Sequence, residues 1–103
     1  VNGISVEGEF IEEKNIMAYC RQIISELKLH GNIGLQLKRS SAGKFLLLEI
    51  NPRVQGTIVA GLAAGINLPN LPIKHELGLP IQEEELQVKW GAKFSRYWNE
   101  VFY

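Results

Sequence analysis

The chain has 103 residues and a mass of 11.6 kDa, the size of one domain or of one piece of a larger one. Eleven Lys and Arg balance eleven Asp and Glu, which argues against a nucleic-acid groove or an anionic membrane surface as partner, because both require clustered positive charge. A hydrophobic share of 46% excludes a disordered chain, while the lone Cys20 excludes an internal disulfide, and no Cys/His cluster stands at zinc spacing.

Residues 4–10 (ISVEGEF) alternate well enough to predict a short strand. Residues 12–29 predict an amphipathic helix. Ile16, Met17, Cys20, Ile23, Ile24 and Leu27 recur at helical spacing, and Lys14, Arg21, Gln22, Ser25, Glu26 and Lys28 fill the other faces. Glu12 and Glu13 suit the positive end of that helix, and Gly31 suits the left-handed position beyond its last turn. A hairpin follows, with Ile33, Leu35 and Leu37 alternating in its first strand and the second running from Lys44 to Asn51, where Pro52 closes it. Residues 57–65 and 69–78 predict two short helices. The run Glu83–Glu85 reads as a solvated turn, and residues 86–98 alternate loosely as a final strand.

Val54 to Ile73 carries no charge over a length that could span a bilayer. Gly56, Gly61, Gly65, Pro69 and Pro72 break it into a loop-punctuated buried segment instead. The N-terminus has neither a Met nor the basic flank of a signal peptide. An excised fragment of a cytoplasmic protein, with no membrane and no nucleic-acid partner, is the expectation.

The hairpin is the most informative part. Side chains alternate faces along a strand, and residues opposite one another share a face. Burying Ile33, Leu35 and Leu37 together with Leu46, Leu48 and Ile50 requires odd positions of the first strand to meet even positions of the second. A two-residue loop at Ala42-Gly43 gives that parity and sets Gln36 opposite Glu49. Gln36, Glu49 and Asn51 then share the other face, with Gly34, Lys38, Phe45 and Leu47, beside a loop carrying Arg53. A carboxylate and two amide oxygens are hard donors, suited to Mg²⁺ rather than zinc. One carboxylate binds Mg²⁺ weakly unless substrate phosphates complete the octahedron, and Arg53 offers a planar charged fork for such a group. The set reads as a site for a metal-bound polyphosphate. The plainer reading, a solvated strand face closed by an Asn-Pro turn, stands beside it on the residues alone.

Glu49-Ile50-Asn51-Pro52-Arg53, preceded by Gly34-Leu35-Gln36, resembles the C-terminal part of the ATP-grasp fold, most closely that of the carbamoyl-phosphate synthetase large subunit. Ala63-Ala64-Gly65-Ile66-Asn67-Leu68-Pro69, with Gly78 beyond, is similar to the helices that follow the motif in that family. The match covers about residues 12–78, and the tail from Leu79 to Tyr103 is less distinctive.

The resemblance implies an α+β fold: an antiparallel sheet with helices packed on one face, residues 1–103 forming one partial domain. It implies that Glu49 bridges two Mg²⁺ (or Mn²⁺) ions, that Gln36 supports one and Asn51 the other, and that Arg53 contacts the transferred phosphoryl group. ATP would then activate a carboxylate or bicarbonate as an acyl phosphate, which an amine captures. The family's adenine-contacting hinge, phosphate-binding lysine and Gly-containing loop lie upstream of the matching region. The chain by itself is therefore expected to be inactive, to need the preceding part of the ATP-grasp unit as partner, and to self-associate through exposed sheet. The rival expectation is a non-catalytic interaction or oligomerisation module on the same scaffold.

His30 falls at the C-terminal end of the long helix, where the dipole favours positive charge, and His75 in a short helix with no carboxylate or nucleophile at triad-like spacing; neither is expected to have a chemical role. Trp90, Phe94, Tyr97 and Trp98 are expected to pack, either within the chain or at an interface, rather than to stack on bases.

Overall fold

The computed structural model describes residues 4–103. In chain order it holds β1 (Glu7–Glu9), α1 (Lys14–Leu27), β2 (Gly34–Arg39), β3 (Phe45–Asn51), a 3₁₀ turn (Ile58–Leu62), α2 (Asn70–Glu76), a second 3₁₀ turn (Glu83–Leu86) and β4 (Lys93–Ser95). The class is α+β, as expected. Its strands form two antiparallel pairs, β1 with β4 and β2 with β3.

The amphipathic stripe makes α1 a helix with one half-buried face. Ile16, Met17, Cys20, Ile23 and Ile24 are half-buried, while Leu27 is exposed. Burial pushes the Cys20 thiol above its ordinary value, because the thiolate loses hydration there. Glu13 is the N-cap, its carboxylate accepting the Asn15 N–H at 3.3 Å. The left-handed residue ending the helix is Lys28 (φ 53°), whose N–H bonds back to the last turn; Gly31 (φ 85°), expected in that role, falls in the loop beyond.

The β2–β3 ribbon differs instructively from the expected hairpin. The loop has three residues, Ser41 to Gly43, rather than two. The Ser40 N–H donates to the Lys44 carbonyl at 2.7 Å, and the Gly43 N–H donates to the Ser40 carbonyl at 2.9 Å. Gly43 takes φ 81°, the left-handed position that a three-residue hairpin loop requires. Beyond the loop Phe45 pairs with Arg39, Leu46 with Lys38 and Leu47 with Leu37. Leu48 then bulges out of the ladder, and the register resumes with Glu49 opposite Gln36, Ile50 opposite Leu35 and Asn51 opposite Gly34. The turn-proximal half of β3 is consequently inverted relative to expectation. Phe45 and Leu47 are the half-buried residues there, whereas Leu46 and Leu48 are 50% and 58% exposed. Arg39 lies over the Phe45 ring at 4.6 Å from its centroid, a cation–π contact across the pair.

The uncharged stretch from Val54 onward folds as the first 3₁₀ turn and then α2. No helix among the described residues is long and apolar enough to cross a membrane. The helix expected over 57–65 is only the 3₁₀ turn Ile58–Leu62. Among the described residues, the buried ones are Ala60, Gly61 and Ala64. All three are small, so backbone closes on backbone. The Ile66 N–H donates to the Gly61 carbonyl at 3.0 Å, and the Lys89 N–H donates to the Ala64 carbonyl at 2.8 Å.

Pro69 precedes α2, and the Asn67 side chain accepts the Asn70 N–H at 3.1 Å. The acidic run expected to be solvated forms the second 3₁₀ turn, closed by a capping box between Gln82 and Glu85. Glu85 also accepts from Lys74 Nζ of α2 at 2.5 Å, which ties that turn to the helix. The final strand is shorter than expected: only Lys93–Ser95 pairs with β1, Gly8 lying opposite Phe94. Backbone bonds from Phe10 N–H to Ala92 (2.8 Å) and from Arg96 N–H to Val6 (2.6 Å) extend that pair at both ends. Of the tail aromatics only Phe94 is half-buried; Trp90, Tyr97 and Trp98 are exposed.

The chain is a plate of 50 × 43 × 24 Å. It exposes 8377 Å², against about 5,800 Å² for a compact monomer of this mass.

Candidate functional site

Gln36, on β2, and Glu49, on β3, are cross-strand partners. Asn51, two residues beyond Glu49 on the same strand, returns to the same face opposite Gly34. Pro52, fixed near φ −65° by its ring, then turns the chain, and the Arg53 N–H reaches back to the Asn51 carbonyl at 2.8 Å. That three-residue turn sets Arg53 beside the strand end. One arm of its guanidinium donates to the Val54 carbonyl at 3.0 Å.

Gln36, Glu49, Asn51 and Arg53 line a single recess of about 540 Å³ together with Ser5, Gln55, Gly56 and Thr57. Gln36, Glu49 and Arg53 are exposed and Asn51 is half-buried. Among the described residues, the side chains of Gln36, Glu49 and Asn51 make no hydrogen bond or ion pair. A carboxylate and two amide carbonyls on one face are the donor types Mg²⁺ takes, and the residues fit that ion.

Ser5, Gln55, Gly56 and Thr57 are contributors that motif reading passed over. Three of them follow Arg53 almost directly in the chain, and the return of the chain after Pro52 is the signal that could have found them. Gln55 packs flat over Gly34: a Cβ on Gly34 would come within 2.0 Å of Gln55 Nε2 and 2.1 Å of its Cδ. The missing Cβ lets the Gln55 amide lie against the Gly34 backbone. Arg96 Nη2 donates to the Gly56 carbonyl at 3.2 Å, which ties the tail to the recess loop. A second recess of about 400 Å³ shares Ser5, Arg53, Gln55 and Thr57 with the first and reaches Glu7, Glu9 and Phe94. Arg53 therefore borders both.

The fold brings the two histidines together. His30, just past α1, and His75, in the last turn of α2, bring their ring centroids to 5.4 Å, and His30 Nε2 contacts the Glu76 carboxylate. The fold supplies the carboxylate that sequence spacing could not.

The α+β fold thus gathers a carboxylate, two amides and an arginine around one recess at the end of a β-ribbon. The chain belongs to the ATP-grasp family described as "ATP-grasp in the biosynthetic pathway with Ter operon", whose model matches residues 3–99. That match takes in the ribbon, the recess loop and most of the tail. The family makes it an ATP-dependent ligase-type domain, and ATP-grasp proteins generally use ATP and Mg²⁺. No curated protein and no solved structure matches the chain.

Proposed function

We propose that this chain supplies the metal-holding and phosphoryl-contacting part of the nucleotide site in a carbon–nitrogen ligase whose reaction resembles that of carbamoyl-phosphate synthetase. A carboxylate or bicarbonate oxygen attacks the γ-phosphorus of ATP, the bond to the β-phosphate oxygen breaks, and ADP leaves. An amine then attacks the acyl carbon of the acyl phosphate and expels inorganic phosphate. Gln36, Glu49 and Asn51 would hold Mg²⁺. The ion would supply charge neutralisation on the polyphosphate, the main requirement of phosphoryl transfer. Glu49 contributes the anionic donor of the set, and Gln36 and Asn51 contribute neutral oxygens that orient without adding repulsion. Arg53 presents a permanent charge to the transferred phosphoryl group or to the acyl phosphate. Its place on the border of two recesses suits a residue that must meet both nucleotide and acyl acceptor.

The observation that carries this reading is the pairing of Gln36 with Glu49 across the ribbon, with Asn51 next on the same face and Arg53 lining the same recess. We further infer that residues 1–103 are the C-terminal part of the ATP-grasp unit of a cytoplasmic protein. The plate's excess of exposed surface would then pack against the part that precedes it, an area typical of permanent interfaces.

The test uses the intact parent protein. Mg²⁺-dependent ADP release is measured with bicarbonate and with a panel of small carboxylates, wild type against Glu49→Gln. Loss of about 100-fold or more in turnover is expected, since one preorganised charged group is removed from the reacting phosphates. Unchanged turnover in Glu49→Gln refutes the assignment. Release stimulated by a carboxylate other than bicarbonate keeps the ligase reading and rejects the carbamoyl-phosphate subtype.

A further inference from the structure

Away from the recess, the geometry points to a second metal site of different chemistry: His30, His75 and Glu76 form a three-ligand site for a zinc-type divalent transition-metal ion at the junction of α1 and α2. The three donor atoms lie within 4.8 Å of one another. Bonds of about 2.0–2.1 Å to one ion set donor atoms roughly 3.3 Å apart in a tetrahedral site, so His30 and Glu76, already in contact, must part slightly to admit the ion while the widest separation closes. The side chains can make that adjustment: His30 and Glu76 are 65% and 62% exposed and free to change rotamer.

The topology also explains the convergence. Neighbouring positions on a helix diverge by about 100°, so His75 and Glu76 could not meet at one point from mid-helix without a third group between them. His30 enters that angle from the loop after α1, touching Glu76 and stacking obliquely on His75 at a 56° tilt.

Ligand softness sorts the two sites. Imidazole nitrogens favour zinc, copper, nickel or cobalt, whereas Mg²⁺ takes oxygen donors. Three protein donors leave one tetrahedral position for water. A bound ion would clip the loop after α1 to the last turn of α2, where His30 already touches Glu76 and stacks on His75.

The experiment is calorimetric titration of the intact protein with Zn²⁺ in excess Mg²⁺, repeated with Co²⁺ to read its visible absorption band. The variants are His30→Gln, His75→Gln and Glu76→Gln, with Glu49→Gln as control and circular dichroism to verify folding. One Zn²⁺ equivalent is expected at micromolar concentration, with an intense tetrahedral-type Co²⁺ band. Each of the three variants should weaken binding by at least ~10-fold, because losing a ligand costs no less than losing an outer-shell partner. Glu49→Gln should bind Zn²⁺ as wild type does. No uptake by the wild type, or any one of the three ligand variants binding as tightly as the wild type, overturns the site. Because the control carries the nucleotide-site substitution, failure here and failure of the ligase reading are separately visible.

Discussion

Gln36 meets Glu49 because two one-residue irregularities cancel. The three-residue loop at Ser41–Gly43 would, by itself, set Gln36 opposite Leu48 and turn Glu49 to the other face. The bulge at Leu48 adds one residue to β3 and restores the pairing just before the site begins. The donor set thus depends on a residue that belongs to neither the donors nor the core.

Leu48 is accordingly expected to matter for its presence and not for its side chain. Leu48→Ala removes a side chain that is 58% exposed, and should change stability by no more than about 0.5 kcal/mol and leave ADP release intact. Deletion of Leu48 should turn Glu49 and Asn51 away from Gln36 and abolish Mg²⁺-dependent ADP release. Denaturant melts and steady-state turnover of the two variants check this.

Arg53 is expected to act through the shape of its guanidinium as well as its charge. Arg53→Ala should lower turnover by about 100-fold, the cost of removing one preorganised donor to developing charge. Arg53→Lys should recover only a minor part of the loss, because a point charge cannot present the planar fork. Turnover of Arg53→Lys equal to that of the wild type would show that charge suffices.

The hairpin separates what was legible in the sequence from what was not. On the site side, Gly34 to Leu37 and Glu49 to Asn51 alternate in polarity, so the shared face of Gln36, Glu49 and Asn51 could be read before any coordinates. On the turn side, Phe45-Leu46-Leu47-Leu48 are all apolar. Such a run marks no face, so neither the bulge nor the inversion it produces leaves a trace. The loop was equally mute, because Ser40-Ser41-Ala42-Gly43 accommodates a two- or a three-residue connection. Contacts between distant segments were beyond pattern reading: His30 lies 46 positions from Glu76, and β1 finds its partner only near the other end of the chain. Glu85 looked like one of three solvated acids, and only the fold shows Lys74 beside it.

That last pair carries an acid dependence. The Lys74 ammonium, followed by the Gln82 N–H, holds the Glu85 carboxyl below its ordinary value of 4.5. The group is therefore more acidic folded than unfolded. Its contribution to stability is full above pH 4.5 and is lost as pH falls through the lower folded value. Glu85→Gln is expected to lower stability at neutral pH and to flatten the decline toward acid, and urea melts across that range measure both. A decline as steep in the variant as in the wild type would assign the acid sensitivity to other carboxyls.

Gly34 and Gln55 should behave as a coupled pair. Gly34→Ala puts a methyl where the Gln55 amide lies, and because that amide is the far end of a flexible side chain it can swing aside, so a cost of no more than about 1 kcal/mol is expected. Removing the obstacle in Gly34→Ala/Gln55→Ala should return most of that loss, so the two changes will not add. A double-mutant cycle by chemical denaturation gives the coupling directly, and strict additivity would mean that the methyl and the amide do not meet.

The three buried residues, Ala60, Gly61 and Ala64, give this fold an unusual vulnerability. A methyl at Gly61 would already sit 3.0 Å from the Ile66 carbonyl oxygen, while no bulky side chain among the described residues is sealed from solvent. Damage at the centre of this molecule therefore comes from gaining atoms rather than losing them, and its tolerance to substitution is set by crowding where most proteins of its size fear a hole.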